Sequence, residues 1–366
     1  MTMLEGIRVL DFTQYLPGPH ATLRLADMGA DVIKIEAPFG DLARFSLDEH
    51  EQSPVFLAQN RKKKSVVLNL KNEEDRKAAL ELAREADVVI EGFRPGVAAR
   101  IGIGYEEIKS VKPDIIYCSL TGYGQTGSIS HLGGHDINYM SLSGMLAQMK
   151  DQNGKPRLPS NTLADFIGGI SASEAILAAL VKRMRTNEGS YIDLAITKTM
   201  LPLMSNHIVI ESMTGEEHGV ERLSGAFVCY TLYETSDQRF IAIGALEEKF
   251  WHNFCRGVGK EEWEKEQFSR AESGNPVYEE IQALIRTKSL SEWSSFAREV
   301  DCCMSPVLET SELIEAEELR EWNLINDNGS YRYVTNQATG FSGLTPDTEP
   351  PALGENTNEY AGKLNR

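Results

Sequence analysis

Residues 7–36 read IRVLDFTQYLPGPHATLRLADMGADVIKIE. Residues 7–12 and 31–36 are short apolar runs of strand length, and residues 21–28 between them carry apolar positions at helical spacing. A strand, a helix and a second strand of this length predict a βαβ unit, two parallel strands joined by a crossover helix. The turn into the helix is Leu16–Pro17–Gly18–Pro19 rather than G-x-G-x-x-G, so a nicotinamide cofactor is not supported.

The alternation continues outward. Residues 65–70 predict a strand, 73–85 a helix, and 87–90 and 114–119 two more strands, while a long apolar helix over 170–184 and a turn at 186–189 lead into a strand at 190–196. Strands alternating with helices imply an α/β fold with a Rossmann-like parallel sheet, in which ligands sit at the carboxyl ends of the strands. A helical stretch over 198–213, interrupted by Pro202, runs into a polar segment at 215–225. Beyond it, residues 226–234 and 239–244 predict a hairpin, and 249–258, 277–287 and 291–299 predict helices. The expected organisation is a large domain over 1–197, a linker over 198–224 and a small α+β domain over 225–310. A Gly/Pro/Asn-rich tail at 311–366 carries a helix at 314–319 and no catalytic signal.

Composition narrows the function. The 366 residues are 41% hydrophobic and carry a net charge of −17, which argues against nucleic acid or an anionic membrane as the main partner. Five cysteines (Cys118, Cys229, Cys255, Cys302, Cys303) form no CxxC pair, so reduced thiols in a cytoplasmic protein are expected and no metal site is implied. No apolar leader and no run of eighteen apolar residues is present, so neither a signal peptide nor a membrane span is expected.

The unusual residues lie between 121 and 169. TGYGQTG at 121–127 is a glycine-rich loop, GGHDINY at 133–139 places a histidine beside a carboxylate, and ADFIGG at 164–169 sets an acid ahead of the apolar helix. An aspartate there is commonly an N-cap, and a histidine in such a turn is commonly structural. Their co-occurrence points instead to proton transfer by His135 and Asp165, with the glycine pair Gly168–Gly169 marking the helix start and N–H donors near 165–168 available to an enolate oxygen. Arg61, Lys62, Lys63 and Lys64 form the one basic run, which reads either as a solvated loop tip or as a phosphate partner. Met145/Met149 and Met200/Met204 repeat an i,i+4 spacing that suits core packing or a pliable acyl-binding surface.

GHDINY at 134–139, ADFIGG at 164–169 and IEGFRPG at 90–96 resemble the family III (CaiB/BaiF) CoA-transferases, and within them the α-methylacyl-CoA racemases, over residues 4–308. The resemblance implies that His135 and Asp165 are the two acid/bases and that Glu247, in the GALE of 244–247, pairs with the histidine. It implies an adenosine site along 68–71, including Leu68 and Lys71, and nucleotide contacts from Phe93, Arg94 and Arg100. Within the GHDINY turn it implies contacts from Gly134, Ile137 and Tyr139. Coenzyme A would enter as part of the acyl-CoA substrate, with no permanently bound cofactor. The resemblance further implies an interlocked homodimer, with 311–366 returning to the large domain. Racemases often carry arginine where this chain has Ala37, which places part of the usual phosphate clamp on other residues such as 61–64.

Two activities compete under this resemblance. Transferases use the aspartate as a nucleophile and usually close a run of glycines over the intermediate, whereas residues 225–244 hold glycine only at the two ends. The formyl-transferring branch has tyrosine in place of His135 and glutamine in place of Leu16. These marks favour racemisation of a 2-methylacyl-CoA by 1,1-proton transfer over CoA transfer through Asp165. A binding-only module would lack His135 or Asp165, and both are present.

Overall fold

The computed structural model describes residues 2–45, 53–151, 153–335 and 348–364. Six strands form one parallel sheet: β1 (Arg8–Phe12), β2 (Asp31–Glu36), β3 (Lys64–Val67), β4 (Val88–Glu91), β5 (Ile116–Thr121) and β6 (Ser190–Ala195). Their order is β3-β2-β1-β4-β5-β6. Because both faces are covered, β1, β4 and β5 read as continuous apolar runs with almost no exposed residue. The two-residue period sends Val9, Val32, Ile90 and Cys118 into one core and Leu10, Ile33, Val89 and Tyr117 into the other.

The helices of this sheet are α1 (Pro17–Asp27), α2 (Pro54–Gln59), α3 (Glu73–Arg84), α4 (Val97–Arg100), α5 (Tyr105–Val111), α6 (Asp136–Leu142), α7 (Met145–Gln148), α8 (Leu163–Thr186) and α9 (Ile196–Met200). α1 and α8 pack together over the first core, while α3 and α5 cover the second. α8 is 24 residues long and apolar enough to cross a membrane, but it packs as the central helix of the first core, burying Ala172, Ile176 and Leu180.

α8 starts earlier than the glycine pair suggested. Its first residue is Leu163, and Gly168 and Gly169 lie in its interior. A β-carbon on Gly169 would stand 2.6 Å from the Pro17 carbonyl oxygen, and one on Gly168 would stand 2.9 Å from the Ile196 side chain. The pair therefore serves close approach of α1 and α9 to α8, which propensity alone reads as a helix break.

The edge strand β3 is covered by the C-terminal segment. Ser65 N–H donates to Asn356 Oδ1 (3.0 Å), Val67 N–H to Thr357 Oγ1 (3.0 Å), and Asn356 N–H to the Ser65 carbonyl (2.9 Å). Side chains and loop thus satisfy the strand's outer backbone groups, which would otherwise recruit another strand.

The chain divides into two units, Met1–Met204 with Asn323–Arg366, and Ser205–Trp322. The boundary falls inside residues 198–224, which hold the end of α9, a 3₁₀ turn Leu201–Met204 around Pro202, and α10 (Ser205–Thr214). The second unit pairs β7 (Tyr230–Glu234) with β8 (Phe240–Gly244) as a hairpin and adds β9 (Met304–Pro306) antiparallel to β8. β9 went unread because it has three residues and ends in proline. Tyr233, Ile241, Trp251, Phe254 and Trp293 make up its core with helices α11 (Glu248–Gly257), α12 (Pro276–Ile285) and α13 (Leu290–Val300). The helix expected at 314–319 is broken into two short turns, Thr310–Leu313 and Glu317–Arg320.

Candidate active site

The strand order reverses between β1 and β4, which opens a crevice at their carboxyl ends. A cleft of about 1170 Å³ occupies this place. Residues 12–18 at the end of β1, 92–95 after β4 and 120–122 at the end of β5 form its walls, and His135, Asn138, Tyr139 and Asp165 line it together.

The GHDINY turn owes its shape to Tyr139. One helical turn beyond His135, the Tyr139 hydroxyl donates to the Gly134 carbonyl at 2.6 Å, and its ring stands edge-on to Tyr123. A β-carbon on Gly122 or Gly134 would lie 2.4 or 2.7 Å from that ring, so both positions need glycine. His135 sits at the N-cap of α6 in extended backbone, its N–H donating to Asn138 Oδ1 at 3.0 Å. Its imidazole is exposed to the cleft side rather than locked in the core. With Oδ1 so engaged, Asn138 keeps its amide NH₂ beside the histidine.

Asp136, the residue next to the histidine, settles the question of the N-cap. Its buried Oδ1 accepts from the Ala164 N–H (2.7 Å) and the Asp165 N–H (3.1 Å), satisfying two first-turn donors of α8 from outside the helix. Asp165 is thereby released from capping, and its carboxyl faces the cleft. Burial pushes its pKa up to about 7, with the neighbouring Asp136 charge adding to the effect. Sequence reasoning did not single out Asp136, although a carboxylate adjoining a candidate histidine was a visible signal.

This arrangement corrects the expected enolate donors. The Ala164 and Asp165 amides are engaged by Asp136, and the Phe166 amide donates to the Thr162 carbonyl at 3.2 Å. The Asn138 NH₂ is a side-chain donor at this end of the cleft, where Asn138 lines it beside His135.

The basic run is likewise not a phosphate site. Arg61 and Lys63 are buried, and the charges are engaged by Asp27 (Arg61, Lys62), Asp11 (Lys63) and Asp31 (Lys64). They hold the chain's own carboxylates because burying a cation without a partner is too costly. Beside Ala37, the Arg44 guanidinium is engaged by Glu36 (2.6 and 2.7 Å) and lies over the Phe56 ring at 3.9 Å.

Of the residues implied for the nucleotide, Phe93, Arg94, Gly134 and Tyr139 line the cleft, and Leu68, Lys71, Arg100 and Ile137 do not. Leu68 is buried in the second core, whereas Lys71, Arg100 and Ile137 are exposed outside the cleft walls. The methionines follow the packing alternative: Met200 and Met204 are buried, Met145 and Met149 pack on the first core, and none lines the cleft.

Glu247 belongs to the second unit. It is the exposed N-cap of α11, with its carbonyl accepting from the Phe250 and Trp251 N–H groups and its side chain making no cap. Glu248 is the first-turn carboxylate that the helix dipole favours.

Comparison with known proteins matches residues 4–357 to the model of CoA-transferase family III. The chain is 36% identical over 258 residues to the human succinyl-CoA:glutarate CoA-transferase, covering 69% of this chain and 58% of that protein, so it spans less than two thirds of that relative's length. It is 31% identical over 323 residues to the human alpha-methylacyl-CoA racemase, covering 87% of this chain and 81% of that protein. Among solved structures, a CAIB/BAIF family protein from Brucella suis superposes with a TM-score of 0.86 at 25% identity, covering 99% of both chains.

Proposed function

The chain belongs to CoA-transferase family III, an enzyme family acting on CoA thioesters, and we propose that within it this protein racemises 2-methylacyl-CoA thioesters by 1,1-proton transfer at the α-carbon. The observation that carries this reading is a carboxyl, Asp165, with its pKa raised to about 7 in the same cleft as His135. An acid/base works best when its pKa lies near the operating pH, and racemisation needs one such group for each face of the α-carbon. His135 removes the proton from one face and Asp165 returns one to the other, each contributing roughly 10²–10⁴-fold. The Asn138 NH₂ is the donor suited to the enolate oxygen. Phe93 and Arg94, at the carboxyl end of β4, take the CoA portion.

Covalent CoA transfer through Asp165 is the second reading, favoured by the 36% identity to the glutarate transferase. The absence of consecutive glycines in 225–244 speaks against it. We further read the protein as an interlocked homodimer in which Glu247 supports the histidine across the subunit boundary. α10 supports the dimer, since it buries none of its residues and exposes Ile208, Val209 and Met213.

The test is incubation of one epimer of a 2-methylacyl-CoA in D₂O, with a parallel incubation of a CoA donor and free carboxylic acids. Racemisation puts deuterium on the α-carbon and equilibrates the epimers without any acceptor acid. Acyl exchange that needs an acceptor and leaves the α-carbon undeuterated would replace this reading with the transferase one.

A further inference from the structure

Beneath the cleft wall lie four charged side chains, Asp11, Lys34, Asp41 and Lys63, all fully buried. Each carboxylate divides its two oxygens in the same way. Asp11 Oδ2 meets Lys63 Nζ at 3.2 Å, and its Oδ1 accepts the Thr13 N–H at 2.9 Å. Asp41 Oδ2 meets Lys34 Nζ at 2.8 Å, and its Oδ1 accepts the Tyr15 N–H at 3.1 Å and the Ala43 N–H at 2.9 Å. The lysines hold carbonyls in the loop after β1 and in the first turn of α1: Lys34 donates to Thr13 O (2.8 Å) and Lys63 to Pro19 O (2.9 Å).

Buried ion pairs contribute little net stability compared with well-packed apolar side chains, so their use here calls for another account. What this cluster specifies is direction. It fixes the backbone of residues 13–19 and 41–43, and Thr13, Gln14, Tyr15, Leu16, Leu42 and Ala43 all line the cleft. Tyr15 has φ of 64°, a left-handed conformation that a tyrosine keeps only when its surroundings impose it. Its N–H is one of the groups that Asp41 holds.

We propose that Asp11 and Asp41, oriented by Lys63 and Lys34, are positioning residues that preset the wall of the cleft for its acyl-CoA ligand. The proposal rests on the reading of the cleft as an acyl-CoA site. Asp41 is the informative member, because one of its oxygens serves the ion pair and the other serves the two loop amides.

Two charge-balanced double variants separate these roles. K34M/D41N removes the ion pair but keeps an amide oxygen for Tyr15 and Ala43, whereas K34M/D41L removes both. Amide hydrogen exchange over residues 13–16 and 42–45 and calorimetric titration with isobutyryl-CoA are measured on both and on the unaltered protein. Exchange in K34M/D41L rises, and its affinity for isobutyryl-CoA falls, each by about tenfold, while K34M/D41N, which loses Lys34 and its bond to the Thr13 carbonyl but keeps the oxygen for Tyr15 and Ala43, changes severalfold less in both. Equal loop exchange in the two variants overturns the proposal, as does a difference in exchange with no difference in affinity. Should K34M/D41L fail to fold, K34M/D41A, which leaves room for water at the vacated carboxylate, carries the same comparison. Failure of the unaltered protein to bind isobutyryl-CoA would instead remove the acyl-CoA reading, and the exchange comparison would still decide whether Asp41 clamps the loop.

Discussion

Asp165→Asn is expected to stabilise the protein and, on the proposed racemase reading, to slow epimer interconversion by roughly 10²–10⁴-fold. A carboxyl whose pKa moves from the ordinary 3.8 to about 7 is disfavoured as an anion by about 4 kcal/mol, a ceiling that relaxation and water entry lower to about 1–4 kcal/mol. The sign follows from linkage. The folded-state pKa is raised, so the folded protein binds this proton more tightly than the unfolded chain, and the contribution is fully present below pH 3.8. It is lost progressively as pH rises toward 7, where the folded state must also ionise, and above that it changes no further. Asparagine, neutral at every pH, does not incur the loss. The two proteins should therefore unfold alike near pH 4, with asparagine gaining an advantage up to about pH 7 that holds beyond it. Comparing thermal midpoints of the two proteins across this range cancels the titrations they share, including those of the other carboxylates. A difference independent of pH, or an unaltered protein that is the more stable at pH 8, would refute the claim that Asp165 is a desolvated carboxyl.

Asp136→Ala removes the oxygen shared by the Ala164 and Asp165 amides, and should cost about 1–3 kcal/mol by leaving buried first-turn donors unpaired. It also removes a repelling charge, so the Asp165 inflection in the pH–rate profile should move to lower pH. Gly169→Ala should destabilise by about 1–3 kcal/mol in thermal melts despite alanine's better helix propensity, because its β-carbon meets the Pro17 carbonyl at 2.6 Å. Tyr139→Phe loses the hydrogen bond to the Gly134 carbonyl, about 1 kcal/mol in a melt, and should lower kcat by more than that loss implies because the histidine turn is no longer held. On the interlocked-dimer proposal, mixed His135→Ala and Glu247→Ala proteins should recover activity only after unfolding and refolding together, and recovery on simple mixing would exclude interlocked subunits.

The sheet was legible in the sequence because parallel strands buried on both faces are continuous apolar runs. β1 and β2 fall where residues 7–36 place them, and the ends of the later strands shift by up to three positions, β3 stopping at Val67 rather than at residue 70. What misled was local composition whose cause is tertiary. The Gly168–Gly169 pair looks like a helix break until α1 and α9 are seen pressed against it. The 61–64 run looks solvated or ligand-binding until Asp11, Asp27 and Asp31 are brought in from distant positions. In the site, the residue types at 135 and 165 suggested chemistry directly. The distinction between Asp165 as cap and Asp165 as acid depended on Asp136, 29 residues away, and such a bond leaves no mark in spacing or periodicity.

That bond also explains how a carboxyl in the first turn of a helix comes to have a high pKa. Such a position ordinarily lowers it, since the amide donors and the helix dipole favour an anion. Here burial penalises the Asp165 anion and the Asp136 charge adds to that penalty, while Asp136 takes two of those donors for itself. A covalent transfer mechanism needs only the ionised form of Asp165, which is about half of the population at pH 7 when the pKa is about 7. Proton exchange needs the group in both forms, and a carboxyl at about 7 is present in both near neutral pH. Asp136 is thus the residue that withholds first-turn donors of the helix from Asp165 and leaves it a carboxyl able to gain and lose a proton near neutral pH.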